Sequence, residues 1–223
     1  MCYGETKLKF PNNILEAKEY QKEIIKKISL IDSFSKSNIV GSFDVAYKRE
    51  YAFAACVVYD WNSETVIEEK TLRAKVDFPY IPGYLFLREV PHFLSLLNQI
   101  RTIPEIIIID GHGIAHPRFA GSATVFGVIS QIPTIGVAKK PMRYFKYKQT
   151  KTKKLEEVYL NEKHVGYRLG FEKKWNPIYV SPGHKISHKT AYLVVKSLQT
   201  NKYKLPIPQQ LAHCLAAKYK NTF

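Results

Sequence analysis

The stretch that decides the fold is IIIIDGHG, from Ile106 to Gly113. Four consecutive β-branched apolar residues predict a strand buried on both faces, which is typical of the centre of a parallel sheet. The strand ends at Asp110, and the chain then breaks into Gly-His-Gly. Because ligands bind at the carboxyl ends of strands in open α/β sheets, Asp110 is a candidate functional group. Asp-Gly is also a common turn dipeptide, and a capped turn is the simpler interpretation of Asp110 taken alone.

A second carboxylate, Asp44, lies inside the strand-like run from 38 to 47. It would be ordinary on a solvated strand face, but within a half-buried strand a carboxylate is costly unless it is paired, hydrogen-bonded or bound to a metal. Two aspartates on two strands of one sheet are the minimum for holding a divalent ion such as Mg²⁺, which takes oxygen ligands from one or two carboxylates. Asp44 and Asp110 are therefore candidate metal ligands.

The overall charge indicates the kind of partner. The chain has 34 Lys and Arg residues against 19 Asp and Glu, a formal net charge of +15. Such a charge predicts a polyanionic partner, either nucleic acid or an anionic membrane surface. No apolar segment is long enough to cross a bilayer, and residues 1–7 lack the apolar core of a signal peptide. Fifteen Tyr residues suit stacking on bases better than contact with lipid, so we expect nucleic acid and no membrane.

Length and cysteine use predict one domain in a reducing compartment. With 223 residues and 45% hydrophobic content, the chain can bury one sizeable core, and no linker divides it. We expect a single domain over residues 1–223, acting as a monomer. Cys2, Cys56 and Cys214 lack metal-ligand spacing, so no disulfide framework is expected. We predict a cytoplasmic protein with a core thiol at Cys56.

The order of the predicted elements indicates the architecture. An amphipathic helix is followed by three strands whose short polar links favour an antiparallel meander. Three antiparallel strands and then helix–strand–helix–strand is the order of the ribonuclease H-like fold, an α/β fold with a mixed sheet flanked by helices. In that fold the first and fourth strands are parallel neighbours, which would place Asp44 beside Asp110. The predicted bounds are 13–30, then 38–47, 51–60 and 64–76 for the meander, then 84–100, 106–109, 119–130 and 134–138.

The pattern weakens after residue 139. We predict a basic hairpin insertion at about 140–172, then a strand and two helices. Residues 139–154 interleave aromatic side chains among cations, which favours contact with phosphates and bases over a merely solvated face. Lys139 directly follows a predicted strand and is placed to meet a phosphate. The predicted strands are 155–160, 163–171 and 178–180, and the helices are 187–199 and 207–219.

Two further side chains are candidates for acid–base chemistry. Glu89 lies in an apolar helical stretch beside Arg88, which favours an inward-facing role over a solvated surface position. His213 lies in another apolar helical stretch, where a histidine is more often a core residue than a catalytic one. If that helix packs at the strand ends, His213 could orient water or protonate a leaving group.

The segment FPYIPG, from Phe78 to Gly83, contains a stiff turn. Prolines at 79 and 82 bracket Tyr80 and Ile81 and cannot join a central strand. A rigid connector is the ordinary interpretation. An aromatic and an isoleucine held out on such a turn could also wedge between bases and unstack them. We call residues 79–82 the wedge loop.

These motifs, taken in order, resemble one family: endonuclease V, the nuclease of deaminated purines. The resemblance spans nearly the whole chain. The motifs that carry it are FPYIPG (78–83) followed by RE (88–89), DGHGIAHPR (110–118), IPTIGVAK (132–139), VSPGH (180–184) and LAH (211–213).

The resemblance implies a Mg²⁺-dependent endonuclease, with Mn²⁺ able to substitute, that recognises hypoxanthine, the base of deoxyinosine, in DNA. It implies hydrolysis of the second phosphodiester bond on the 3′ side of the lesion, leaving 3′-hydroxyl and 5′-phosphate ends. The two aspartates would bind the metal, Glu89 and His213 would be the other catalytic residues, and main-chain groups would read the extruded base. The remaining implied contacts are Pro79, Tyr80, Ile81, Pro82, His116 and Lys139 to DNA, and Gly83, Leu85, Gly111 and Gly136 in the base pocket.

The sequence departs from the family at two positions near that pocket. Residues 121–127 stand where the family often carries Ala-Ser-His before the glycine, so a histidine is missing, and His112 stands where Gln is common. Both departures bear on base preference rather than on the reaction.

Several alternatives stay open from sequence. A non-catalytic nucleic-acid-binding module of the same fold is disfavoured by the joint presence of four catalytic-type residues. Another ribonuclease H-like nuclease is disfavoured by the wedge loop. DNA and inosine-containing RNA are both candidate substrates, and one-metal and two-metal schemes fit equally: Glu89 would hold a second ion or the attacking water, or His213 would orient the water at a single ion.

Overall fold

The computed structural model describes residues 9–34, 38–152, 154–170 and 175–223. Within these ranges nine strands form one sheet, accompanied by five helices. The strands are β1 (Ile39–Lys48), β2 (Tyr51–Asp60), β3 (Thr65–Lys75), β4 (Ile106–Asp110), β5 (Thr134–Ala138), β6 (Lys146–Gln149), β7 (Leu155–Leu160), β8 (Lys163–Leu169) and β9 (Ile178–His184). The helices are α1 (Ile14–Lys26), α2 (Phe86–Leu97), α3 (Ser122–Ser130), α4 (His188–Ser197) and α5 (Ile207–Asn221). The strand order is β3-β2-β1-β4-β5-β9-β8-β7-β6.

The centre of the sheet is parallel and both sides of it are antiparallel. β1, β2 and β3 form the predicted meander, and β1 pairs with β4 in parallel, with Phe43 opposite Ile109. β4 pairs with β5 in parallel as well. The predicted mixed, ribonuclease H-like sheet is confirmed. Because Phe43 and Ile109 are opposite each other, the residues that follow them lie side by side on neighbouring strands, Asp44 inside β1 and Asp110 at the end of β4.

The four isoleucines of β4 divide the core between the two faces of the sheet. Ile107 and Ile109 pack into the cluster that includes buried residues of α1, α2 and α3. Ile106 and Ile108 pack on the other face, with residues of α4 and α5. Each isoleucine is at most 2% exposed, so each contributes about 2 kcal/mol through burial. Since strand side chains alternate, Asp110 shares the α4–α5 face with Ile108.

The structure differs from the predicted elements mainly after residue 139. β6 was missed because all four of its side chains are exposed, which leaves no hydrophobic period to detect. β6, β7 and β8 join β9 in the main sheet. β9 continues through Pro182 to His184, where its pairing with β5 shifts register as at a bulge. Cys2, Lys153 and the predicted strand end at 171 lie outside the described residues.

Two composition-based expectations can be compared with the structure. Cys56 on β2 has no exposed surface, so it is the core thiol that was predicted. Within the described ranges, the helices are all too short or too polar to cross a membrane.

Candidate active site

Three potential metal ligands converge at the end of β4, beside the middle of β1. Asp44, Asp110 and His213 each offer a ligand atom, and these atoms all lie within 4.8 Å of one another. The parallel register supplies the two carboxylates, and α5 packs against β1 and brings the imidazole. His213 Nδ1 lies 2.6 Å from Asp44 Oδ2. This contact raises the pKa of His213 against the opposing effect of burial. His213 is half exposed, which excludes the buried-core interpretation.

Asp110 is held by two donors. Lys139 Nζ lies 2.6 Å from Oδ2, and Gln209 Nε2 donates to Oδ1 at 3.2 Å and to the carbonyl of Val137 at 2.9 Å. Burial and the neighbouring Asp44 charge raise the pKa of Asp110, while Lys139 opposes the rise. Two carboxylates in this position repel each other, so the cluster favours a bound cation. Lys139, predicted to meet a phosphate, is the cation present here.

Glu89 faces the same cluster from the other side of the sheet. It lies in the first turn of α2 and is only 7% exposed. Its Oε2 accepts a hydrogen bond from Ser122 Oγ at 2.7 Å. Burial raises its pKa well above the usual value, and the charges of Asp110 and Asp44 raise it further. The solvated-surface interpretation of Glu89 is therefore excluded.

A cavity of about 170 Å³ opens beside the carboxylates. Three of the four predicted pocket residues, Gly83, Leu85 and Gly111, line it, and so does His116. Gly136 does not line the cavity: a Cβ there would lie 2.3 Å from Gly113 N and 2.6 Å from the carbonyl carbon of His112. It therefore lets β5 approach the backbone behind the cavity. The other lining residues are Tyr80, Pro82, Phe86, His112, Ala120, Gly121, Ser122 and Met142.

The wedge loop forms one rim of the cavity. Tyr80 is 67% exposed, and both prolines are exposed as well. Ile81 packs, partly buried, against the hydrophobic core. The prediction that both Tyr80 and Ile81 project outward was therefore wrong for Ile81, because its apolar side chain finds core surface below the loop.

A buried network fixes the end of the wedge loop. Gly83 has φ +84°, and its carbonyl accepts hydrogen bonds from Arg118 Nη2 at 2.7 Å and Gln21 Nε2 at 3.3 Å. Gln21 is fully buried on α1; its Nε2 also donates to the carbonyl of Ala120, and its Oε1 accepts from Arg118 Nε at 2.6 Å. The Arg118 guanidinium lies 4.3 Å from the Tyr84 ring centroid. We call Gln21, Arg118 and the Gly83 carbonyl the clamp.

Sequence reasoning missed the residues that position the others. Gln21, Ser122 and Gln209 carry neutral polar side chains in no motif, and only the assembled fold shows what they contact. Gln209 offered one signal, since a polar residue four positions before His213 shares its helix face. The Gly136 assignment failed for a related reason: sequence shows that a backbone must approach closely but not from which side.

The fold and the site together define the class of protein to which the chain belongs. The mixed sheet, with Asp44 inside β1 next to Asp110 at the end of the parallel strand β4, is that of a ribonuclease H-like protein.

Comparisons with known proteins narrow this class to one family. A family model described as Endonuclease V matches residues 22–214. The Endonuclease V of Rippkaea orientalis is 38% identical over 215 residues, covering 95% of this chain and 93% of the relative. The crystal structure of the Endonuclease V from Streptomyces avermitilis has a TM-score of 0.87 at 32% identity and covers 95% of each chain. Ciona intestinalis Endonuclease V, in complex with a 24-mer DNA containing an inosine followed by a ribo-adenosine, has a TM-score of 0.80 at 27% identity, covering 93% of this chain and 98% of that one. The chain belongs to the endonuclease V family, a family of nucleases.

Proposed function

We propose that this protein is an endonuclease that recognises hypoxanthine in DNA and hydrolyses the second phosphodiester bond on its 3′ side, leaving 3′-hydroxyl and 5′-phosphate ends. The observation that carries the proposal is the contact between two sites: Ser122 lines the cavity and also donates a hydrogen bond to Glu89. A base held in the cavity would therefore lie within reach of Asp44, Asp110 and Glu89, which we call the carboxylate cluster. The inosine-containing DNA bound by the Ciona relative supports the choice of lesion.

The donor set of the cluster suits Mg²⁺, with Mn²⁺ as a substitute. Carboxylate oxygens are the ligands that Mg²⁺ prefers in proteins, and they suit Mn²⁺ as well. Asp44 and Asp110 would hold the ion, and His213 is near enough to contribute. The ion would polarise the scissile phosphate and stabilise the leaving 3′-oxygen. Lys139, released from Asp110, would place its charge on the phosphate.

The remaining catalytic groups handle protons. The raised pKa of Glu89 makes its carboxylate a good proton acceptor once it is ionised, and Ser122 fixes which oxygen faces the cavity side. His213, whose Nδ1 is engaged with Asp44, keeps Nε2 free to orient water or to donate a proton to the leaving oxygen. Only the protonated imidazole can make this donation, so in that role His213 would not be a metal ligand.

The cavity would read the base through its backbone. Gly83, Leu85 and Gly111 bring main-chain groups to its wall, and glycine allows the base edge to approach closely. Tyr80 at the rim would occupy the space that the extruded base leaves in the duplex. His116, predicted to contact DNA, lies in the wall and is 3% exposed, so any contact it makes would be inside the pocket.

The test uses end-labelled strands with a single inosine, in deoxy and ribo form, single-stranded and paired, incubated with Mg²⁺. We expect one nick, one nucleotide beyond the inosine, with ends that a ligase can reseal. Strands carrying adenosine or guanosine at the same position, and an Asp110→Asn preparation purified in parallel, are the controls. Equal nicking of undamaged strands would contradict lesion recognition. Cleavage of the ribo strands alone would make RNA the substrate.

A further inference from the structure

Tyr144 and Tyr80 are the two most exposed aromatic side chains among the residues that the structure describes. Tyr144 is 81% exposed and Tyr80 is 67% exposed. A single exposed aromatic residue is ordinary on a protein surface, so the exposure of Tyr144 has meaning only together with its position and its backbone conformation. The mechanism uses Tyr80, but no step described above uses Tyr144.

Both tyrosines lie on loops that form the same cavity. Tyr80 itself lines it from the wedge loop, and Met142, two residues before Tyr144, lines it from the segment that follows β5. We call residues 139–145 the second rim loop. The cavity is therefore lined by Tyr80 from one loop and by Met142, two residues before Tyr144, from the other.

Three contacts fix the second rim loop to the end of β4 and to the loop that follows it. Lys139 is paired with Asp110, and the carbonyl of Lys140 lies 3.1 Å from His112 Nε2. Phe145 packs edge-on against the His112 ring, with 5.8 Å between centroids. The backbone at Tyr144 is therefore defined by its neighbours and not by its own contacts.

That backbone is unfavourable for a tyrosine. Tyr144 has φ +68°, in the left-handed region that non-glycine residues rarely adopt. A residue with a side chain is held there at a cost, although glycine would fit without strain. A large aromatic ring at a strained and exposed position is a feature of ligand contacts rather than of folding.

We propose that the Tyr144 ring stacks on a nucleobase that flanks the extruded base, on the side of the lesion away from Tyr80. The proposal rests on the proposed function and deepens it. Extrusion leaves two neighbouring bases without stacking partners, and two tyrosines on separate rims of the cavity could cover one each. Lys140, Arg143 and Lys146 surround the ring in sequence and supply the charge that a sugar-phosphate backbone requires.

The test is binding without cleavage, in EDTA, to inosine-containing duplexes that carry 2-aminopurine on either side of the lesion. Its fluorescence changes when stacking on the neighbouring group changes. The variants are Tyr144→Ala, Tyr144→Gly and Tyr144→Phe, with Tyr80→Ala for comparison. Alanine and glycine both remove the ring, but only glycine relieves the left-handed strain, and phenylalanine keeps the ring.

We expect Tyr144→Ala and Tyr144→Gly to weaken binding about tenfold, which is within the range for loss of one stacked base. Tyr144→Phe should bind like the wild type. The fluorescence of one flanking 2-aminopurine should respond to Tyr144→Ala, and that of the other to Tyr80→Ala. Tyr144→Ala binding within twofold of the wild type, or the same flanking base responding to both tyrosines, would overturn the proposal. Wild-type binding of Tyr144→Gly would show that binding does not need the ring and would overturn it too. If wild-type protein shows no preference for inosine, it is the proposed function that fails.

Discussion

The carboxylate cluster and the cavity beside it lie next to each other but hold their geometry by different means. In the cluster, each acidic group has its own partner: His213 for Asp44, Lys139 for Asp110 and Ser122 for Glu89. In the cavity, the wall consists largely of backbone and apolar groups that are held from behind. Within the clamp, Arg118 holds the Gly83 carbonyl at the cavity wall, and Gly136 lets β5 approach the backbone behind that wall.

This difference predicts how each region responds to substitution. Removing a charged group from the cluster should abolish cleavage. Recognition of the base should remain, because each acidic group has its own partner and the cavity wall is held by other residues. Replacing a residue that holds the cavity wall from behind should weaken recognition of the base only in part, because many other contacts also hold the wall. The five predictions below test that division, from the largest expected effect to the smallest.

Asp44→Asn or Asp110→Asn should reduce cleavage by at least about a thousandfold, as expected when a group that stabilises developing charge is lost. Binding to inosine-containing DNA should change only a few-fold, since affinity comes from the basic surface. Cleavage rates at saturating Mg²⁺ and filter binding in EDTA measure the two effects. Near-wild-type nicking by either variant would remove its aspartate from the metal site.

Tyr80→Ala should slow cleavage of inosine in a duplex about thirtyfold. Base extrusion from a duplex costs a few kcal/mol, and less from a single strand, where little stacking opposes it. The informative quantity is the ratio of duplex to single-strand rates, mutant against wild type. An equal loss on both substrates would leave Tyr80 as a pocket residue without a wedge role.

Replacing Lys146, Lys148 and Lys151 with Ala should weaken duplex binding about tenfold at moderate salt. Each phosphate contact that is lost should flatten the plot of log affinity against log salt by about 0.9. Lys146 already pairs with exposed Glu162 at 2.7 Å, so its share should be the smallest. The matched control replaces Lys22 and Lys26 on α1, which also pair with exposed glutamates. An equal change of slope in the control would indicate a general charge effect.

Gln21→Leu should lower the duplex cleavage rate about fivefold by loosening the clamp, and should lower the single-strand rate less. The substitution also leaves the Ala120 carbonyl without its donor, which costs about 1–3 kcal/mol of unfolding free energy. Rates are therefore compared at a temperature where circular dichroism shows the variant to be folded. Lys22→Leu, one position along α1 and exposed, is the control. A duplex to single-strand ratio unchanged in Gln21→Leu would show that the clamp does not position the wedge loop.

His116→Asn should make stability less sensitive to acid without abolishing cleavage. Burial lowers the pKa of His116 to about 3, from 6.5 in the unfolded chain. Above pH 6.5 both states are neutral; below it only the unfolded state gains the proton, so stability falls by about 1.4 kcal/mol per pH unit down to the folded pKa. Urea unfolding between pH 4.5 and 6.5 measures the free energy of unfolding at each pH. In His116→Asn this free energy should fall less steeply with decreasing pH, by that amount per pH unit. Parallel stability curves for the two proteins would mean that His116 has the same pKa in the folded and the unfolded chain.

The sequence predicted the cluster better than the cavity for a physical reason. Asp44 lies inside a strand and Asp110 ends one, and the apolar pattern of both strands is explicit, so the strand order alone brings them together. Glu89 and His213 needed only the correct helix face. The cavity depends on approaches between distant backbones, and neither the clamp through Gln21 nor the position of Gly136 behind the wall has a periodic signal. β6 was missed for the same reason, because none of its side chains is buried.

The strand order also governs when the nuclease becomes active during folding. β1 to β3 pair with their sequence neighbours, and so do β6 to β8. Asp44 and Asp110, by contrast, meet only when β1 pairs with β4, across more than 60 residues of chain. Contacts that close such long loops form later than local hairpins. A partly folded chain would already carry its basic side chains but would hold only half of the carboxylate pair, so the capacity to bind nucleic acid would form before the capacity to cleave it.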